Sequence, residues 1–93
     1  MAWRITKVYD PTCRDEEGVC GPRDATDEAL KPENLTHPFR LYTDDGDLIY
    51  EGSMTAYDDE RCFGPLDDFG TPNYGCTYMM VREGGTRGKW VLL

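Results

Sequence analysis

Residues 39–54 read FRLYTDDGDLIYEGSM, and this stretch decides the fold of the chain. Two short runs of alternating apolar residues flank four polar ones, and the Asp45-Gly46 dipeptide between them is typical of a tight β turn. The stretch therefore predicts an antiparallel hairpin. We expect its loop to contain two or four residues.

Side-chain chemistry specifies the register of this hairpin. The predicted pairs are Arg40 with Glu51, Leu41 with Tyr50, Tyr42 with Ile49, and Thr43 with Leu48. In this register opposite charges face each other, and the residues that share one apolar face are Phe39, Leu41, Leu48 and Tyr50. A shift of one residue would scramble that face, so the predicted register is the one that buries it.

A second hairpin is predicted over residues 77–93, where Gly84, Gly85 and Gly88 form the loop. Its predicted pairs are Glu83 with Lys89, Arg82 with Trp90, Val81 with Val91, Met80 with Leu92, and Met79 with Leu93. Each pair joins like with like, opposite charges, or a cation with an aromatic ring.

The remaining segments are less regular. Residues 3–9 are β-branched and aromatic and predict a strand, whereas residues 24–31 predict a surface helix capped by Asp24 or Thr26. Residues 56–76 contain many glycines and prolines and predict an ordered loop, with one helical turn at residues 57–62. This loop contains the apolar residues Tyr57, Phe63, Leu66, Phe69 and Tyr74. Some of them should fold back over the sheet.

These elements predict a single domain over residues 1–93 of mainly β class. We expect a twisted antiparallel sheet of four to five strands built on two hairpins, with the N-terminal strand joining them and at most one short helix. Closure into a small barrel and an α+β fold are the alternatives. An apolar share of 39% is enough for one modest core.

Charge is the strongest compositional feature. The net charge is −8, and residues 44–68 hold nine acids and one base. This acidity argues against direct nucleic-acid binding, since phosphates need a basic surface. The N-terminus has no apolar run typical of a secretory signal, and no run is long enough to span a membrane. We therefore expect a cytoplasmic protein.

The four cysteines do not predict a metal site. Cys13 and Cys20 have six residues between them, and Cys62 and Cys76 have thirteen, whereas zinc ligands usually pair two to four residues apart. Cys13 and Cys20 are the pair closest in sequence, so an oxidant could join them in a disulfide that closes the N-terminal loop. Nearby acids disfavour a reactive thiolate. Residues 44–47 lack the ligand spacing of a calcium-binding loop. We expect the protein to have no cofactor.

No motif for catalysis is present. His37 is the only histidine and precedes a proline, so we interpret it as a structural residue. The carboxylates of residues 58–60 and 67–68 are candidates for paired acids, but no pattern in the sequence places them across a cleft. We expect a protein that is not an enzyme.

Two stretches carry a resemblance to known proteins. Residues 39–52, FRLYTDDGDLIYEG, and residues 65–77, PLDDFGTPNYGCT, resemble small proteins of bacteria and their mobile elements. The resemblance covers about the C-terminal half of the chain. It implies a prokaryotic cytoplasmic origin and carries no known activity, so it assigns no functional residue.

The sequence therefore favours a binding module that docks its acidic stretch on a basic surface of a partner protein. One version is a phage or mobile-element inhibitor, similar to anti-CRISPR proteins, that occupies a nucleic-acid-binding surface by charge mimicry. The predicted protein-binding residues are Asp44, Asp45, Asp47, Asp58, Asp59, Glu60, Asp67 and Asp68, with Tyr57 and Tyr74 as aromatic anchors. The alternatives are a small metal-stabilised domain and a hydrolase that uses the acidic loop.

Overall fold

Six strands form one antiparallel sheet in the order β2-β1-β4-β3-β5-β6. A computed structural model describes residues 2–23, 25–55, 64–82 and 88–93, with only the backbone of Cys13 and Arg14. The strands are β1 Trp3–Val8, β2 Cys20–Gly21, β3 His37–Tyr42, β4 Leu48–Met54, β5 Tyr78–Arg82 and β6 Trp90–Leu92. The predicted mainly β class is confirmed. The sheet gains a sixth strand because Cys20 and Gly21 pair with β1, and it does not close into a barrel.

The central hairpin of β3 and β4 has the predicted register over most of its length. Arg40 pairs with Glu51 and Leu41 with Tyr50. The predicted pairs nearer the turn are wrong, because Tyr42 faces Leu48 and Ile49 is left out of the ladder as a bulge.

The turn of this hairpin explains the bulge. The Thr43 N–H donates to the Asp47 carbonyl, 3.0 Å away, so the loop has three residues rather than two or four. Gly46 closes the loop with a φ of +85°, a left-handed conformation that favours glycine. The extra residue in β4, Ile49, compensates for the odd number of loop residues, so the pairs beyond it have the predicted register.

The second hairpin is confirmed where the structure describes it. Arg82 pairs with Trp90, Val81 with Val91, and Met80 with Leu92. The Leu93 N–H donates to the Met79 carbonyl at 3.0 Å. The predicted pair of Glu83 and Lys89 lies partly outside the described residues. β5 pairs with β3, which places the two hairpins side by side.

The N-terminal strand is also confirmed, but its predicted position between the two hairpins is wrong. It pairs with β4, on the far side of the first hairpin from the second. β1 pairs with β4 from Trp3 opposite Met54 to Val8 opposite Tyr50. Two 3-10 helices, Pro11–Glu16 and Pro32–Asn34, flank β2 in sequence. The predicted surface helix is reduced to a turn in its described part, where the Ala29 N–H donates to the Thr26 hydroxyl at 3.1 Å. Asp24 lies outside the described residues.

The loop prediction for residues 56–76 is wrong over its second half. A helix, α1, runs through Pro65–Gly70 in π geometry and continues through Thr71–Tyr74 in α geometry. Pro65 is at the first position of the helix, where its missing N–H is not needed. Gly75, with a φ of +80°, ends the helix. The predicted turn at residues 57–62 lies outside the described residues.

The helix covers one face of the sheet, and the core lies between them. Leu66 and Phe69 of α1 are buried against this covered face, as expected for the apolar residues of this segment. The buried strand residues on the same face alternate along each strand. They include Trp3, Ile5, Phe39, Leu41, Tyr50, Met54, Met79 and Val81. The intervening residues form the opposite, open face of the sheet.

Candidate functional site

The acidic turn, defined as Asp44, Asp45 and Asp47, lies at the tip of the central hairpin. All three residues are exposed. The ion pairs of the described residues join Lys31 to Glu28 and Arg40 to Glu51, so they leave this turn without a cation. Two backbone hydrogen bonds hold the turn, from the Thr43 N–H to the Asp47 carbonyl and from the Gly46 N–H to the Thr43 carbonyl. The carboxylates therefore project from an ordered backbone.

The other predicted acids lie on different elements. Asp67 and Asp68 are exposed on α1, and Asp68 lines a cleft of about 430 Å³ beside β2. The cleft is otherwise lined by Trp3, Val19, Cys20, Gly21, Pro22, Arg23 and Phe69. It contains a single carboxylate, so this cleft does not hold the acid pair of a hydrolase. Tyr57, Asp58, Asp59 and Glu60 lie outside the described residues.

Tyr74, which was predicted as an interface anchor, is exposed and contacts the buried Tyr50. Its ring meets Tyr50 edge to face, with centroids 6.3 Å apart, and 36% of the residue is exposed. Its hydroxyl donates to the Asp10 carboxylate. This hydrogen bond is the main cause that holds the pKa of Asp10 below its ordinary value of 3.8, and Thr12 contributes further hydrogen bonds.

Replacing Tyr74 with phenylalanine is expected to raise the pKa of Asp10, because the variant loses the hydroxyl that stabilises the charged carboxylate. An NMR titration of the Asp10 carboxyl carbon measures the shift. Folding lowers this pKa, so the stabilisation is present above pH 3.8 and is lost as the pH falls below it. An unchanged Asp10 titration in the variant would show that Thr12 alone sets the pKa.

The two cysteines whose side chains are described differ in access. Cys20 is exposed, and Cys76 is fully buried below α1. Burial raises the pKa of the Cys76 thiol to about 11, and the negative charge of Glu16 adds to the effect. This agrees with the expectation that acids disfavour a thiolate. Within the described residues no three metal-binding side chains come together, so they lend no support to the metal-stabilised alternative.

Alkylation is expected to separate these two thiols. In a variant with Cys13→Ser and Cys62→Ser, iodoacetamide at pH 8 should label Cys20 rapidly. Cys76 should label only through unfolding, since less than about 1% of its thiol is ionised at that pH. Mass spectrometry of the labelled peptides follows both rates. Equal rates for the two cysteines in the folded protein would contradict the burial of Cys76.

The open face carries a continuous polar and aromatic network that the sequence analysis did not assemble. The Lys7 ammonium lies 4.7 Å from the centroid of the Tyr9 ring, and the Tyr9 hydroxyl donates to Glu51. Glu51 accepts a hydrogen bond of 2.9 Å from Arg40. The Arg40 guanidinium in turn lies 4.1 Å from the centroid of the Trp90 ring, and the Arg82 guanidinium lies 5.7 Å from it. The network therefore links residues of β1, β4, β3, β6 and β5.

A stacked tyrosine pair adjoins this network. Tyr42 on β3 and Tyr78 on β5 have ring centroids 5.0 Å apart and planes within 2° of each other. Arg40 links the pair to the network, because its side chain forms hydrogen bonds with both Glu51 and Tyr42. The bond to Glu51 is the main cause that raises the pKa of Arg40, and burial opposes it. The sequence shows that polar residues alternate along each strand. It does not show that β3 pairs with β5, and this pairing brings the polar residues of the two hairpins onto one surface.

His37 begins β3, where it was predicted to have a structural role. Its ring Nδ1 lies 2.7 Å from the Thr55 carbonyl.

In the part of the chain that the structure describes, no helix has the length and apolar character that a membrane crossing requires. In comparisons with protein-family models, curated proteins and solved structures, none matches this chain.

Proposed function

We propose that this protein is a non-enzymatic binding module that docks its acidic residues, led by the acidic turn, on a basic surface of a partner protein. One observation carries the proposal: three exposed carboxylates lie within four residues on an ordered turn, and no cation of the described residues pairs with them. Like charges held together repel one another, and a cationic partner relieves this repulsion.

The version we favour has a nucleic-acid-binding protein as the partner. Carboxylates on a rigid hairpin tip present a local density of negative charge, as phosphates do, and compete for the same arginines and lysines. Such a module acts as an inhibitor, as some small acidic anti-defence proteins do.

The experiment begins with affinity capture of partners from the native host at low salt, followed by association kinetics at increasing salt. The variant D44N/D45N/D47N is expected to associate about tenfold more slowly than the wild type, with a weaker salt dependence. The matched control E17Q/D27N/E33Q neutralises three exposed acids elsewhere and should change the rate much less. A partner bound at the same rate by both variants, regardless of salt, would contradict the proposal.

A further inference from the structure

The open face has a charge opposite to that of the whole molecule. The six strands contain four cations, Arg4, Lys7, Arg40 and Arg82, and Glu51 is the only carboxylate in any of them. Arg4, Arg40 and Arg82 alternate with strand residues that are almost fully buried on the covered face, so they project from the open one. Lys7 contacts Tyr9, which joins it to the same surface. A local excess of positive charge thus lies on a chain with a net charge of −8.

Aromatic rings lie among these cations. Trp90 contacts the guanidinium groups of Arg40 and Arg82, and the Tyr42 and Tyr78 rings form a parallel stack. Their neighbours on this face include Met80, which is half-buried, and Leu92, which is 67% exposed. The rings are held in position before any ligand arrives, which lowers the entropy lost on binding.

We propose that the open face binds single-stranded nucleic acid, with phosphates at Arg4, Lys7 and Arg82 and bases stacked on the aromatic rings. Cations interleaved with aromatic side chains on an exposed sheet are the combination that single strands require. A pair of parallel rings extends naturally by a further planar ring, which a base supplies and an acidic peptide rarely does. Duplex DNA keeps its bases stacked inside and offers the rings nothing to stack on.

The net charge of −8 does not prevent nucleic acid from binding to the open face. The acidity predicted that nucleic acid would be repelled, but 12 of the 13 acids that the structure describes lie outside the strands. The acidic turn adjoins the tyrosine pair, since a Cβ on Gly46 would lie 3.8 Å from the Tyr78 hydroxyl. Its exposed carboxylates therefore oppose phosphate binding there, and the stacking of bases has to outweigh this repulsion, which salt weakens. The expected affinity is therefore modest, and binding does not depend on the acidic turn.

The experiment uses a fluorescein-labelled oligothymidylate of about 12 nucleotides, titrated by anisotropy at about 50 mM salt. The variant R4Q/K7Q is expected to weaken binding about tenfold and to lower the slope of log Kd against log salt by about one. Y78L keeps an apolar side chain but removes a ring, and it should weaken binding about tenfold with the slope unchanged. The matched control R23Q/K31Q removes two cations that lie outside the strands and should bind as the wild type does.

NMR amide shifts of the oligothymidylate complex give a second readout, and changes should concentrate in β1, β3, β5 and β6. Absence of binding at millimolar protein, shifts confined to other elements, or tighter binding of a duplex of the same length would each overturn the proposal. Equal displacement by a polyglutamate of matched charge would assign the face to an acidic protein segment instead and would also overturn it. D44N/D45N/D47N should bind the oligonucleotide at least as tightly as the wild type, so the two proposals fail independently.

Discussion

Replacing Gly52 with alanine is expected to lower the melting temperature of the protein by roughly 15 to 30 °C. Gly52 lies in the middle of β4, where it faces Ile5 of β1 and Phe39 of β3. A Cβ added there would collide with the backbone oxygen of Arg4 and would lie 2.6 Å from Cζ of Phe39. Neither neighbour can move away easily, because one is backbone of an adjacent strand and the other is a fully buried ring.

The expected loss is about 3 to 5 kcal/mol, since overpacking against backbone cannot be relieved by rotating a side chain. For a domain of this size that corresponds to a fall in Tm of roughly 15 to 30 °C, measured by circular dichroism. Ser53→Ala, one residue further along β4, adds no atoms and should change the Tm by only a few degrees. A Gly52→Ala variant that melts with the wild type would show that β1, β3 and β4 do not approach each other as described.

Replacing Phe69 with alanine has the second largest expected effect, a loss of about 3 to 5 kcal/mol in the free energy of unfolding. The ring is 4% exposed, and its centroid lies 4.7 Å from that of Tyr50 and 5.8 Å from that of Trp3. A helix as short as α1 is not stable alone, so packing of this kind keeps it on the sheet. The variant should lose near-ultraviolet circular dichroism together with stability.

Urea denaturation of two further variants completes the test. Phe69→Leu retains much of the buried area and should lose less than half as much as alanine does. Asp67→Ala changes an exposed residue of the same helix and should lose less than about 1 kcal/mol. Equal losses for Phe69→Ala and Asp67→Ala would mean that Phe69 is not what attaches the helix.

The two hairpins were predictable because cross-strand pairs have a chemistry that can be checked residue by residue. Arg40 with Glu51, and Arg82 with Trp90, each form an attractive pair, and the structure contains both. The bulge at Ile49 was not predictable in this way. It depends on the backbone conformation of Gly46, and the apolar pattern is consistent with more than one loop length.

The helix was missed because glycine and proline were interpreted only as interruptions. Pro65 starts the helix and Gly75 ends it, which are the positions these residues favour. The apolar residues Leu66 and Phe69, three apart, were the available helical signal. The open face was missed for a different reason. Its composition follows from strand order, and no local pattern specifies that β3 lies beside β5.

The outermost strands of the sheet are its shortest. β2 has two residues and β6 has three, whereas the central β4 has seven. A growing fibre adds chains to the free N–H and C=O groups of an edge, and these short strands offer few of them. The taper therefore limits templated aggregation in a protein whose sheet leaves aromatic side chains uncovered on one side.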